Sequence, residues 1–228
     1  MNKNMSGVRA ITLDVAGTLL KPHPCVGVIY AEVLNDHGGH ANPQVLEKRF
    51  HTALRETNTT ANSMGRSFWK AIVLKTLGNT CPRENFEACF NELWETFAEG
   101  RRWVTLKDTE DTLRQLKDKG YQLAILSNID SRLHSILDDK GLNGFFEEIF
   151  ISEEIGHSKP SIKIFRRAEQ VLNCKPKNIL HIGDSLREDY LGAKNAGWQA
   201  ILIKPERPTA VPETDWIANW EAALPQGL

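Results

Sequence analysis

The chain has 228 residues, 41% hydrophobic and 25% charged, which suits one well-buried globular domain or a core carrying a smaller insert. Its formal net charge of −1 leaves no basic excess to attract a nucleic-acid backbone or an anionic membrane. No apolar run approaches the ~18 residues of a membrane span. The segment Met1 to Gly7 is polar and has no secretory pattern, and Cys25, Cys81, Cys89 and Cys174 form no Cys-x-x-Cys pair. Free thiols in a reducing cytoplasm are the expectation, and the sequon at Asn58 is then a chance match. Val8 to Leu13 reads as a strand that delivers Asp14 at its C-terminal end. Gly17, Pro22 and Pro24 make the following stretch turn-rich and stop an immediate helix.

From about residue 26 to 100 the periodicity is helical, with no convincing strand. Val26, Ile29, Tyr30, Val33 and Leu34 form one apolar face; Val45, Leu46, Phe50, Ala53 and Leu54 form a second. Phe68, Trp69, Ile72, Val73 and Leu77 form a third, and Phe86, Phe90, Leu93, Trp94 and Phe97 a fourth. Four amphipathic helices make a small bundle, with the aromatic stripes expected as its core. Between the second and third faces, Thr57 to Arg66 is polar and loop-like.

Strand and helix alternate from about residue 104. Thr109 to Lys119 reads as a helix ended by Gly120. Gln122 to Leu126 is an apolar strand ending at Ser127-Asn128, and Asp130 is an N-cap candidate for the helix carrying Leu133, Ile136 and Leu137. Phe146–Ile151 and Asn178–Ile182 are further strands around a helix at Ile162–Leu172. Leu186–Asn195 reads as helical and Trp198–Ile203 as the last strand, before a proline-containing tail and a short helix near Trp216–Leu224. Such units argue for a parallel sheet covered on both faces. Asp14, Ser127 and Asp184 each follow a strand. They should therefore meet at the sheet edge where ligands bind.

Four segments in order carry a resemblance. Asp14-Val15-Ala16-Gly17-Thr18-Leu19 resembles the first motif of the haloacid dehalogenase-like (HAD) hydrolases, and Ser127 after its strand resembles the second. Lys159-Pro160, before a helix, resembles the third, and Gly183-Asp184-Ser185 followed by Asp189 the fourth. Taken singly, each reads equally well as an ordinary turn or surface residue; taken together, four independent turns would have to mimic one site. The stretch Ser127-Asn128-Ile129-Asp130-Ser131-Arg132-Leu133, with Phe68-Trp69, is similar to the branch called haloacid dehalogenase-like hydrolase domain-containing protein 3. The resemblance implies a three-layer, Rossmann-like α/β core with a parallel sheet (residues 1–21 and 103–228) plus an inserted four-helix cap (22–102). It also implies phosphoryl transfer to Asp14, giving an aspartyl-phosphate. Mg²⁺ would be held by Asp14, the carbonyl of Ala16, and Asp184. Lys159 would neutralise the nucleophile, with Ser127, Thr18 and the Asn128 amide on phosphate oxygens. Asp189 and Ser185 would hold these groups in place, and Arg66 is a candidate for an anionic substrate group. A small phosphorylated metabolite is the expected substrate, with no nucleic-acid or membrane partner, and the chain a monomer or homodimer.

One element departs from the pattern. HAD phosphatases usually place a second aspartate two residues after the nucleophile, as general acid and base; here Ala16 stands there. Loss of a general acid costs about 10²–10⁴ in rate, mainly on poor leaving groups. Three outcomes stay open: activated aryl or acyl phosphates as substrates, a borrowed proton donor (His23 or His157), or an impaired protein that binds a phosphate ligand. Phosphonoacetaldehyde hydrolases also carry alanine here but need an imine-forming cap lysine, and nothing around Lys48 or Lys70 resembles theirs. Metal-free haloacid dehalogenases use a similar Ser-Asn pair but have no carboxylate at the position of Asp184. His181, inside its strand, reads as a hydrogen-bonded core residue.

Overall fold

The computed structural model describes residues 7–57 and 64–223. The expected N-terminal polar segment, the Asn58 sequon, most of the Thr57–Arg66 loop and Leu224 lie outside these residues. The first strand, β1 (Ala10–Leu13), runs into Asp14. It lies inside a six-stranded sheet of order β5-β4-β1-β6-β7-β8, with β2 (Leu20–Pro22) and β3 (Trp103–Thr105) outside it. These are β4 (Gln122–Ser127), β5 (Glu148–Ile151), β6 (Ile179–Gly183), β7 (Gln199–Ile203) and β8 (Trp216–Ile217). All pairings in this sheet are parallel.

Strand alternation sorts the side chains into two cores. Ile11, Leu13, Leu123, Ile125, Leu180 and Ile182 pack on one face, against α5 (Thr109–Asp118), α6 (Leu133–Asp139) and α10 (Trp220–Ala223). Ala10, Ala124, Leu126, Ile179, Ala200 and Leu202 pack on the other, against α8 (Ile162–Leu172) and α9 (Gly192–Asn195). The period of two thus explains why central strands are apolar nearly throughout: both faces are covered, and the buried polar residues Thr12 and His181 are hydrogen-bonded to each other. Between β1 and β4 the chain forms α1 (Val26–Asp36), α2 (Pro43–Thr57), α3 (Arg66–Leu77) and α4 (Phe86–Thr96), with a core of their own. Among the described residues no helix is long and apolar enough to cross a membrane.

Several local expectations are corrected. The turn-rich stretch after Asp14 contains a strand, β2 (Leu20–Pro22), paired antiparallel with β3 (Trp103–Thr105). This ribbon brackets the helical insert; strands of three residues are too short to show a period, and Pro22 sits at the strand's end, where proline is tolerated. Trp216 starts a strand rather than a helix, because Trp216 and Ile217 pair with Leu202 and Ile203. Val45 is 43% exposed and leaves the apolar face of α2. Leu186–Leu191 is a π-helix before α9, not one continuous α-helix. Asp130 opens the turn that leads into α6: its buried Oδ1 accepts the Arg132 backbone amide at 3.1 Å, as an N-cap does, and its carboxylate also takes the Arg132 guanidinium. Cys81 and Cys89, apart in sequence, meet in the insert as free thiols, where burial pushes the Cys89 thiol up to about 12.

The last helix reaches back to the first loop: the indole of buried Trp220 donates to the Thr18 carbonyl at 2.7 Å. Trp220→Phe keeps an aromatic ring but removes the indole N–H, orphans that carbonyl and leaves a void, so it should cost at least about 1–3 kcal/mol. Urea denaturation checks this; an unchanged midpoint would show that the bond contributes nothing.

Candidate active site

The ends of β1, β4 and β6 converge on the carboxylate of Asp14. Its backbone amide donates to Ile182 O at 2.9 Å, which fixes the chain as it leaves β1. Ser127 Oγ, at the end of β4, donates to Asp14 Oδ1 at 2.9 Å. Lys159 Nζ donates to the same oxygen at 2.8 Å, to Leu126 O at 2.7 Å and to Asp189 Oδ1 at 2.5 Å. An ammonium has three N–H groups, so all of them are committed. Lys159 is 2% exposed. Burial alone would lower its pKa, but Asp14 and Asp189 outweigh that and hold it above the ordinary lysine value.

Asp189 is positioned from several sides. Its Oδ2 accepts the Ser185 amide at 2.8 Å, and its Oδ1 lies 3.1 Å from His181 Nε2. His181 Nδ1 lies 2.8 Å from Thr12 Oγ1, and burial, the dominant effect, keeps the imidazole pKa low. A neutral ring donating from Nε2 and accepting at Nδ1 satisfies both partners. His181 is thus the hydrogen-bonded core residue expected. Burial would raise the Asp189 pKa, but Lys159 and His181 together hold it below the ordinary range. The π-helix turns Asp189 inward against Gly183, where a Cβ would come within 2.3 Å of the Asp189 carboxyl carbon. Only glycine fits there.

Among the described residues Asp184 makes no such ion pair, with Lys159 and Lys204 acting on it only from a distance. Asp14, Asp184 and Asp189 each present an oxygen within 4.8 Å of the others. Burial, then Asp14 and Asp189, push the Asp184 carboxyl up to about 7. Gly17 lets the first loop pass over it: its φ is +90°, and a Cβ there would lie 2.7 Å from Asp184 Oδ2.

Of the other residues singled out in the sequence, some join the site and some do not. Ala16 lines the cavity above Asp14. Thr18 Oγ1 sits 3.4 Å from Asp14 Oδ2 and is fully buried, so it stands behind the carboxylate rather than in the cavity. The Asn128 side chain ties loops together, donating to Lys159 O at 2.9 Å and to Glu188 Oε2 at 3.0 Å while accepting the Lys159 amide at 2.7 Å. Ser185 Oγ accepts the Glu188 amide at 3.2 Å and begins the turn that carries Asp189. Arg66 is placed elsewhere. It is exposed, bonds Asn91 Oδ1 at 2.8 Å, and stacks on Phe90 and Trp94 from outside the cavity. His23, His157, Lys48 and Lys70 do not line the cavity either.

The cavity itself, about 660 Å³, extends from Asp14 and Asp184 into the helical insert. Trp69, Phe90, Trp94 and Phe97 line it, so the aromatic stripes are both bundle core and cavity wall. Arg132, which the motif reading passed over, also lines it. Its guanidinium binds both oxygens of Asp130 at 2.7 Å and lies 3.7 Å over the Trp94 ring. The alternation Asp130-x-Arg132 directly after the second motif was the available signal.

A family model described as a hydrolase, haloacid dehalogenase-like hydrolase, matches residues 8–197. The chain belongs to this family. It is accordingly a hydrolase. Haloacid dehalogenase-like hydrolase domain-containing protein 3 from Homo sapiens is 31% identical over 205 residues, spanning 86% of this chain and 82% of that protein. Glyceraldehyde 3-phosphate phosphatase from Methanothermobacter thermautotrophicus is 42% identical over 100 residues, 43% of this chain and 44% of its own. Among solved structures, the HAD-hydrolase YfnB from Bacillus subtilis, bound to magnesium, superposes with a TM-score of 0.75 at 22% identity, covering 94% of this chain and 96% of that one. A dehalogenase with an intermediate complex gives 0.75 at 18% identity, covering 96% of each. At these identities the structures speak for the fold alone, which phosphatases and dehalogenases share.

Two predictions follow from the charges. Lys159→Met leaves Asp14 and Asp189 buried without their cation and should cost ~3–5 kcal/mol of folding stability by denaturant titration; a loss below about 1 kcal/mol would contradict the network. Because the Asp184 pKa is raised on folding, the folded state holds its proton more tightly than the unfolded chain. Stability should therefore be lost as the pH rises from the ordinary carboxylate range through about 7. In chelator, Asp184→Asn should remove that loss and melt above wild type at alkaline pH. Melting curves of the same pH dependence for both proteins would refute the assignment.

Proposed function

We propose that the protein is a Mg²⁺-dependent phosphoric-monoester hydrolase acting through an aspartyl-phosphate on Asp14, on a small phosphorylated metabolite. The observation that carries this reading is the pairing at the cavity floor: Asp14 has its cation in Lys159, while Asp184 faces it without one. A metal-free dehalogenase would gain only repulsion from that second carboxylate, toward both the nucleophile and an anionic substrate. The archaeal phosphatase similarity points the same way.

The residues present fit a magnesium ion. Asp14 and Asp184 supply carboxylate oxygens within reach of one centre, and Ala16, whose backbone carbonyl survives the substitution, lines the same cavity. Asp189 is spent on Lys159 and His181, so it positions rather than ligates. When bound, the ion supplies the positive charge that lets an anionic nucleophile approach an anionic phosphoryl group. The chain does the rest. Lys159 and Ser127 hold Asp14 Oδ1, which keeps the carboxylate fixed at the cavity floor. Asp14 attacks phosphorus, the ester oxygen leaves with the bonding pair, and water then cleaves the acyl phosphate.

Ala16 cannot protonate the departing oxygen, so substrates with acidic leaving groups should be favoured. The same alanine supports a second reading, a weakly active protein that binds a phosphate ligand. Hydrolysis of 4-nitrophenyl phosphate, with and without Mg²⁺, separates them. Metal-dependent turnover that falls by at least ~10³ in Asp14→Asn is the expected result. Thermal stabilisation by phosphate and Mg²⁺ without turnover, in folded protein, would establish the second reading instead.

A further inference from the structure

The cavity above Asp14 is larger and less polar than a small sugar phosphate needs. About 660 Å³ sits within the range of pockets that enclose a drug-sized body. Its upper wall is built by Leu54 of α2, Trp69 of α3, Phe90 and Trp94 of α4, and the flanking Met64 and Phe97. Lys21 and the His51–Glu47 pair, 3.2 Å apart, also line the cavity, while Arg132, the cation beside the aromatic rings, is already matched. Asp130 is fully buried and accepts from Nε and Nη2 along one edge of the guanidinium, Nη1 donates to Trp94 O at 3.0 Å, and the guanidinium carbon lies 3.7 Å from the centre of the Trp94 ring. A paired, stacked guanidinium offers a flat surface rather than a free charge for a second acidic group. The wall thus favours an apolar, planar ligand body.

The chemistry at the floor selects the same class independently. With Ala16 in place of the proton donor, the ester oxygen must leave as an anion, which a phenol does far more readily than an alkyl alcohol. We propose that the substrate is the phosphate monoester of an aromatic, ring-bearing alcohol of the phenol class, its rings seated among the insert's aromatic side chains. This rests on the phosphatase reading above and names its leaving group. Asp14 forms a bond to phosphorus as the P–O(aryl) bond breaks, and the electron pair leaves on the phenolate oxygen. Water then attacks phosphorus, the P–O(Asp14) bond breaks, and the protons of that water end on the phenolate and phosphate. The sum is aryl phosphate plus water giving phenol plus inorganic phosphate.

The experiment compares acetyl phosphate, phenyl phosphate and 2-naphthyl phosphate on the full chain with Mg²⁺. It also measures binding of the non-hydrolysable naphthylmethylphosphonate and methylphosphonate by tryptophan fluorescence. Phenyl and 2-naphthyl leaving groups have similar acidity, so a kcat/KM ratio of ~10 or more for the naphthyl ester reports the cavity rather than the chemistry. The naphthyl phosphonate should likewise bind at least ~10-fold tighter than methylphosphonate, and Trp69→Ala should erase most of that difference. Equal kcat/KM for the two aryl esters together with equal phosphonate binding would overturn the proposal, even if acetyl phosphate is turned over. Tight naphthyl binding without hydrolysis of any ester would uphold the aromatic cavity and sink the phosphatase reading instead.

Discussion

The structure turns on one buried ammonium. Taking a lysine and two carboxylates out of water costs several kcal/mol per ion, and only good geometry with full hydrogen bonding repays it. Lys159 meets that condition, with three acceptors at 2.5–2.8 Å for its three N–H groups. The acceptors come from β1, from β4 and from the π-turn after β6, so one side chain pins three strand ends to each other. Gly183, the Ser185 amide and the His181–Thr12 pair exist around it to place Asp189 on the correct side.

That network leaves the floor of the cavity unbalanced. Three carboxylates crowd together there, and burial, then Asp14 and Asp189, push the Asp184 carboxyl up to about 7. A divalent cation is the natural remedy, and the geometry is consistent with the family to which the chain belongs. Above the floor the character changes. The insert presents aromatic rings and an Arg132 whose charge Asp130 has already cancelled, so the polar and apolar ends of the cavity ask different things of a ligand.

Much of this was legible in the sequence, for identifiable reasons. Fully covered parallel strands are apolar at nearly every position, so Gln122–Ser127 and Ile179–Gly183 stood out and set Ser127 and Asp184 at their ends. Helical spacing found all four inserted helices. What escaped depends on tertiary partners. The β2–β3 ribbon is three residues a side and formed by segments some 80 positions apart, so no local pattern marks it. Trp216–Ile217 is a strand only because β7 lies beside it. Periodicity shows which face of a helix is apolar but not what it faces. It therefore took Trp69 and Trp94 for core alone, kept Val45 in the buried stripe, and left Arg66 free to be imagined at the site. Arg132 was hidden for the opposite reason: it sat in a stretch noted only for its resemblance, and its value lies in a carboxylate two residues away and a ring on another helix.

The central claim is that Asp14 carries the phosphoryl group. Enzyme quenched during turnover of an aryl phosphate and treated with borohydride should yield homoserine at position 14, since only an acyl phosphate there is reduced under those conditions. Homoserine at position 14, absent without substrate, is the predicted result. Turnover with no reducible residue at Asp14, or with the label at Asp184, would contradict the account.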